Sequence, residues 1–386
     1  MVRRRFYLDL SRLLSRVRHS APTGVDRVEM SYARRLPDLA GGDFGYCARH
    51  PSGAFGRLAD QDVARFLDET QERWHGGAAG GDRGALASLA RIRPRAPDGG
   101  KTAALILASP ANLHRPRRIA HMKNRLNATL TALVHDLIPV THPEYARPGG
   151  AEKHARRIET LRREAFAVIA NSTATSEGLA RHWSGWPAPG IAIAPLGIDP
   201  LPCTEPARRD RPYFLMVGTI EPRKNHLLLL HVWRKMAEDW PAGDIPELLL
   251  VGRRGWENEQ VVDLLERAPG IQPHVRELGA LPERELAALY RGAHALLMPS
   301  FSEGFGLPVA EALSVGTPVL ASDIPAHREV AGVAARYLSP LDGEGWMAAI
   351  RDMASGPRGK PAADWQAPGW DRHLDIVLAA AEKSLP

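Results

Sequence analysis

Cysteine is nearly missing from this chain. Only Cys47 and Cys203 occur, far apart and without metal-type spacing, which excludes a cysteine-built metal site and points to a reducing compartment, the cytoplasm. Long apolar runs are missing as well. No stretch approaches about 18 uncharged apolar residues, so none is expected to span a bilayer. The arginine-led start is not a secretory leader, because Asp9 and Arg12 interrupt any apolar core. No repeat of short period is evident. No G-x-G-x-x-G follows the first predicted strand, which argues against a nicotinamide oxidoreductase on a dinucleotide-binding fold.

What is present fits a soluble globular protein: 44% hydrophobic and 24% charged residues over 386 positions. That length exceeds the roughly 250 to 300 residues that one core supports, so two domains are expected. The net charge of +6 and the pI near 9.5 suit nucleic acid, anionic lipid or an anionic substrate, and charge alone does not choose among them. Arginine is dense near the start, at Arg3, Arg4, Arg5, Arg12, Arg16, Arg18, Arg27, Arg34 and Arg35, with Phe6, Tyr7, Leu8, Leu10, Leu13 and Leu14 interleaved. Two readings stand: an edge that meets anionic membrane, its apolar residues dipping into the interface, or a solvated basic face around an ordinary strand.

Along the chain, apolar runs at 5–10, 103–107, 130–134, 167–170, 191–194, 213–218, 248–251, 296–298 and 319–321 read as strands. Helical spacing appears at 28–36, at 59–74 through Val63, Phe66 and Leu67, and at 151–164 and 370–385. Residues 41–100 are less regular, and Asp342 is read as the end of the α/β pattern. Residues 196–212, rich in proline and charge, read as a linker. The expected domains are therefore 1–197, rejoined by 370–386, and 198–369.

Polar residues that follow strands are candidate ligand groups, since α/β sheets bind ligands beyond the carboxyl ends of their strands. Thr23 and Gly24 either touch donor phosphate or acceptor, or form a plain turn. His135 follows one strand. Gly218 and Thr219 lead from another to Arg223 and Lys224, a pair able to neutralise a diphosphate but equally able to be solvated surface. The stretch 300–323, SFSEGFGLPVAEALSVGTPVLASD, reads as glycine loop, helix and strand, with Pro308 opening the helix. Backbone N–H groups of Phe305, Gly306 and Leu307 at that helix start would stabilise an anion. Glu303 and Glu311, the latter read into the first helical turn, suit hydroxyls on either side of a diphosphate, as in a nucleotide sugar. Equally, Glu311 complements the helix dipole and Glu303 is a solvated loop residue.

The order E, G, F, G, L, P, E resembles the E-x7-E signature of retaining glycosyltransferases of family 4. E-P-R-K-N-H, H-D-L-I-P, G-A-L-P-E-R-E-L and I-P-A-H-R-E extend the resemblance. It implies the GT-B fold, two Rossmann-like doubly wound domains facing across a cleft, with no metal and no cofactor beyond a nucleoside diphosphate sugar as donor. It assigns Lys224 to the leaving diphosphate and, because Thr219 stands where many relatives have arginine, moves the second cation to Arg223. His135 is placed near the transferred sugar. Glu303 with the backbone of Gly304, Phe305, Gly306 and Leu307 is assigned to sugar hydroxyls, Glu311 to the ribose and Leu281 to the nucleobase, while Arg253, beside the turn after the strand 248–251, is either a donor-side residue or plain surface.

P-T-G-V-D-R-V together with G-T-I-E-P-R-K-N-H looks most like bacterial mannosyltransferases of polysaccharide assembly. GDP-mannose is therefore the favoured donor, UDP-glucose stays open, and the acceptor is a glycan or a polyprenyl-diphosphate-linked oligosaccharide rather than nucleic acid. The alternative is a non-catalytic nucleotide-sugar-binding partner of such an enzyme. Two motif matches are set aside. Asp60 and Asp62 form a D-x-D, but at the polar start of a helix, where Asp serves as cap or dipole partner. Gly100, Lys101 and Thr102 imitate the end of a P-loop, yet a strand follows where that motif needs a helix.

Overall fold

The structure, a computed structural model, describes residues 5–19, 21–75, 81–97, 102–359 and 364–385. The chain divides into two units, Met1–Asp199 with Pro368–Pro386, and Pro200–Ala367. The second unit is thus slightly shorter than the expected 198–369.

Unit 1 holds β1 (Arg5–Asp9), β2 (Phe44–Arg49), β3 (Phe55–Leu58), β4 (Ala103–Leu107), β5 (Ala128–Val134), β6 (Ala167–Ala170) and β7 (Gly190–Ile193). They form one sheet in the order β3-β2-β1-β4-β5-β6-β7, parallel except for the β2–β3 pair. Every residue of β4 is buried, as expected for a strand covered on both faces. The chain runs outward from β1 to β3 and then returns to β4 on the other side. The crevice at that reversal, beyond the carboxyl ends of β1 and β4, is where such a sheet receives ligands.

Unit 2 repeats this plan with β8 (Tyr213–Val217), β9 (Glu247–Val251), β10 (Val275–Gly279), β11 (Ala295–Met298), β12 (Val319–Ser322) and β13 (Ala335–Leu338). All its pairs are parallel, in the order β10-β9-β8-β11-β12-β13, so its reversal lies between β8 and β11. Leu229, Leu230, Trp233 and Met236 of the helix His226–Asp239 pack with Trp346 into this sheet's core. Among the described residues no helix is long and apolar enough to cross a membrane.

Several expectations are corrected. The helix expected over 28–36 runs from Gly24 to Ala40 and includes Pro37. Pro37 donates no bond to the carbonyl four residues back, and the hydroxyl of Tyr46 takes that place, donating to Ala33 O at 2.7 Å. The stretch 41–100 contains the helix Asp60–Trp74, as the spacing of Val63, Phe66 and Leu67 implies, and beyond that expectation β2, β3 and the helix Gly81–Arg91. Gly56 marks close packing and not a loop: a Cβ there would lie 2.0 Å from Arg95 O. Asp342 does not end the α/β pattern. Its carboxylate accepts from Gly345 N at 2.8 Å and caps the helix Gly343–Ala354.

The apolar residues interleaved with the basic start are core residues, so they do not form an outward-facing apolar edge. Phe6, Tyr7, Leu8, Leu10, Leu13 and Leu14 are all buried in the core. Arg12 and Arg16 pair with Asp26, Arg34 with Asp68, and Arg35 with Asp199. Arg3 and Arg4 lie outside the described residues, as do Gly100 and Lys101 of the P-loop imitation. Asp60 and Asp62 sit in the first turn of the helix Asp60–Trp74. The C-terminal helix, Trp370–Glu382, packs within unit 1, where His373 accepts from the Tyr32 hydroxyl through Nε2 at 2.6 Å and donates through Nδ1 to Ala194 O at 2.9 Å.

Candidate active site

The loops after β8 and β11 meet at the reversal of unit 2. After β8 the chain passes Gly218, whose φ of +146° suits glycine and whose added Cβ would stand 3.1 Å from Lys224 Cε. Pro222–Lys224 then forms a single 3-10 turn, and Asn225 ties it to the β11 side by donating to Pro299 O at 3.2 Å and Pro340 O at 2.9 Å. Phe301 N donates to Arg223 O at 2.8 Å, closing the two loops on each other.

Within this frame lies a buried ion network. Lys224 Nζ and Arg223 Nη1 each donate to Glu303 at 2.6 Å, one to each carboxylate oxygen, and Ser300 Oγ adds a bond at 2.8 Å. Arg223 Nε also pairs with Glu221 at 2.7 Å. The Glu303 side chain is 6% exposed. Burial alone would raise its pKa, but the charges of Arg223 and Lys224 outweigh burial and hold it well below the usual carboxylate range. Burial lowers the pKa of Lys224, and Glu303 opposes that shift.

Gly306 takes a left-handed φ of +98° and leads into the helix Leu307–Ser314, whose first N–H groups have no intrahelical acceptor. His327 packs beneath, its Cδ2 3.4 Å from where a Gly306 Cβ would stand. Its Nδ1 donates to Ser322 O at 3.0 Å, while its buried Nε2 has no hydrogen-bond partner. Glu311 is the fifth helical residue, not part of the first turn, and accepts from the Tyr290 hydroxyl at 3.1 Å. Pro308 is likewise second in the helix, after Leu307.

Thr219 lies against Gly255, and Arg253 is exposed, its carbonyl accepting from Ile220 N at 2.9 Å. Leu281 follows β10 in the loop before the helix Glu283–Gly292. The structure thus brings Arg223, Lys224 and Glu303 into direct contact and sets Gly218 beside them. Sequence reasoning missed Glu221, Ser300, Tyr290 and His327. Glu221, Ser300 and His327 lie inside the stretches E-P-R-K-N-H, 300–323 and I-P-A-H-R-E and bond partners two to five residues away, whereas Tyr290 gave no signal because it meets Glu311 21 residues on.

In unit 1, His135 lies just past β5. Its Nε2 donates to Ala108 O at 2.8 Å, which leaves Nδ1 as an acceptor in the neutral ring. Burial lowers its pKa, with Arg12 and His154 adding to the shift and Ala108 and Asp136 opposing it. Thr23 and Gly24 form a helix cap: Thr23 Oγ1 accepts from Asp26 N at 3.4 Å, Thr23 N donates to Asp26 Oδ2 at 2.8 Å, and Gly24 opens the helix. Thr23→Ala is expected to cost unit 1 about 1 kcal/mol of stability in chemical denaturation. A loss of only a few tenths would show that the Arg12 and Arg16 pairs to Asp26 hold the turn without the cap.

Two doubly wound units, one with cations and a helix start at its strand reversal, define a Rossmann-like class of α/β protein. Comparison with known proteins narrows the class. Residues 204–356 match the family Glycosyl transferases group 1, so the chain carries a group 1 glycosyltransferase domain, and all the matched residues lie in unit 2. The serotype-specific mannosyltransferase WbdA of Escherichia coli is 27% identical over 362 residues, covering 87% of this chain and 40% of WbdA. The O-antigen chain mannosyltransferase B of the same organism is 30% identical over 237 residues, covering 58% of this chain and 60% of that one. The chain thus spans about two fifths of the first relative and three fifths of the second. Anabaena HepE, solved with UDP-glucose, superposes with a TM-score of 0.57 at 15% identity, covering 99% of both chains. The fold is that of GT-B glycosyltransferases.

Proposed function

We propose that this protein is a retaining, metal-independent glycosyltransferase. It moves a hexose, mannose first, from a nucleoside diphosphate sugar to a glycan or lipid-linked oligosaccharide in bacterial polysaccharide synthesis in the cytoplasm. The observation that carries this reading is the buried contact of Lys224 and Arg223 with Glu303 beside the helix start at Leu307. A lysine has three donors and an arginine five, so one bond to Glu303 leaves Lys224 with further donors for a diphosphate. Preorganised donors aimed at the leaving oxygen lower the barrier to its departure.

Glu303, fixed by its cations, serves the sugar hydroxyls with the backbone of Gly304, Phe305, Gly306 and Leu307. Glu311 serves the ribose, Leu281 the base, and Gly218, Thr219 and Arg253 the donor side. His135 faces the transferred sugar as a neutral acceptor. The mannosyltransferase names of the relatives support GDP-mannose as donor, and HepE with UDP-glucose supports a second reading in which the donor is UDP-glucose.

A panel of nucleotide sugars, assayed for released diphosphate, separates these. GDP release from GDP-mannose is expected, UDP release would move the donor to the second reading, and no release from any donor would overturn the enzyme. His135→Ala should lose turnover while retaining fold and donor binding. Normal turnover would return His135 to a purely structural role.

A further inference from the structure

Unit 1 gathers cations at one edge of its sheet without matching carboxylates. Arg49 ends β2. His114 and Arg115 follow β4, and Arg118 lies in the first turn of the helix Pro116–Leu126. Arg147 follows β5, and Lys153 and Arg157 stand four residues apart, on one face of the helix Gly150–Glu164. The two helices pack together. Neither has a side-chain N-cap, and the first has no acidic residue in its first turn. Their N-termini add positive potential where the cations already repel one another.

At the other end of the same helices the charges are paired, Lys123 with Glu164 and both Arg162 and Arg163 with Glu159. Among the described residues, no ion-pair partner stands against Arg49, Arg115, Arg118, Arg147, Lys153 or Arg157. Asp136 and Glu152 are nearby carboxylates, and Asp136 Oδ1 already accepts from Ile138 N at 3.1 Å.

A second, independent sign is a pair of buried donors left without acceptors. Arg115 Nε donates to His114 Nε2 at 3.2 Å, so the neutral ring carries its proton on Nδ1, and that buried atom has no partner. Arg157 Nε is buried and unpartnered too. Burial and the charges of Lys153, Arg157, Arg115 and Arg118 hold His114 near 4, so the ring stays neutral while its surroundings stay cationic. Buried donors without acceptors are costly. Two of them inside an unneutralised cation cluster call for a compact, multiply charged acceptor that reaches below the surface, as a flat membrane or nucleic-acid backbone does not.

We propose that Arg115, Arg118, Lys153 and Arg157, with Arg49 and Arg147 at the margin, bind a phosphoryl or diphosphoryl group carried by the acceptor. This deepens the transferase reading and rests on it for the word acceptor. The site itself is tested without any sugar donor. Inorganic pyrophosphate is titrated calorimetrically into the full chain and into Arg115→Glu/Lys153→Glu, both exposed positions, with melting curves to confirm folding. The double reversal is expected to weaken pyrophosphate binding about 100-fold.

Vesicles of phosphatidylglycerol with and without a polyprenyl diphosphate separate lipid-borne from free phosphate. Binding only with the polyprenyl lipid assigns a lipid-linked acceptor. Binding to neither kind of vesicle, with pyrophosphate bound, assigns a soluble phosphorylated one. Equal pyrophosphate affinity in wild type and variant, or none in either, overturns the site. So does equal binding to both kinds of vesicle that is lost in the variant, which would mean that the cluster reads membrane charge. Pyrophosphate binding without diphosphate release from any donor sinks the transferase reading alone.

Discussion

Lys224→Ala is expected to lower kcat by about 10²- to 10³-fold, the usual cost of deleting one preorganised donor at a leaving oxygen, and also to destabilise unit 2. The second effect follows from the ion network: Glu303 is buried, and removing one of its two cationic partners leaves its charge half compensated, at a cost of about 3 to 5 kcal/mol in buried pairs. The two effects separate in a cycle. Lys224→Ala/Glu303→Ala removes the stranded carboxylate, so it should recover part of the stability lost by Lys224→Ala and none of the turnover. If turnover returns with stability, Lys224 holds the loop and does not act on the donor. The pH dependence has a definite sign. Glu303 has its folded pKa depressed, so its contribution is fully present above the unfolded value of about 4.3 and is lost only as pH falls through the lower folded value.

What could be read before the structure was what lies in short contiguous stretches. Unbroken apolar runs such as 296–298 and 248–251 announced buried parallel strands, and turn chemistry after them announced loops. Arg223, Lys224 and Glu303 were legible because each follows a strand whose carboxyl end borders the same reversal. Their mutual ion pairing was not, since it depends on how two loops about 80 residues apart close. Pro37 and Gly56 share one feature that local sequence does not resolve. Each breaks a local preference, and each is accommodated by a tertiary contact, from Tyr46 in one case and the backbone of Arg95 in another. The arginines near the start show the reverse: a charge run that looked like a surface is held by Asp26, Asp68 and Asp199, the last about 160 residues away from its partner Arg35.

Unit 1 should lose stability as pH rises from about 4 to 8, because two carboxyl groups are buried at its strand reversal. Asp9, the last residue of β1, accepts from Ser11 Oγ at 2.5 Å, and Glu29 accepts from Leu13 N at 3.1 Å. Asp9 Oδ2 and Glu29 Oε2 are buried without hydrogen-bond partners. Burial pushes Asp9 up to about 7 despite the bonds from Ser11, and pushes Glu29 up to about 8, with the charge of Asp9 adding to the shift. Both groups therefore hold protons in the folded chain that they release on unfolding at the same pH. Stability from this source is fully present below the unfolded values near 4 and disappears as pH passes the folded values. A rise of about three pH units corresponds to about 4 kcal/mol for one carboxyl, a large part of a domain's net stability of about 5 to 15 kcal/mol. Asp9→Asn removes one of the two titrations. Its stability relative to wild type should therefore climb by about that amount between pH 4 and 8, whatever fixed offset the amide introduces. Difference curves from chemical denaturation at several pH values measure the climb while cancelling groups common to both proteins. A flat difference would mean that Asp9 is ionised in the folded state, its charge met by Arg12 or by water, and that the reversal between β1 and β4 is already open to solvent.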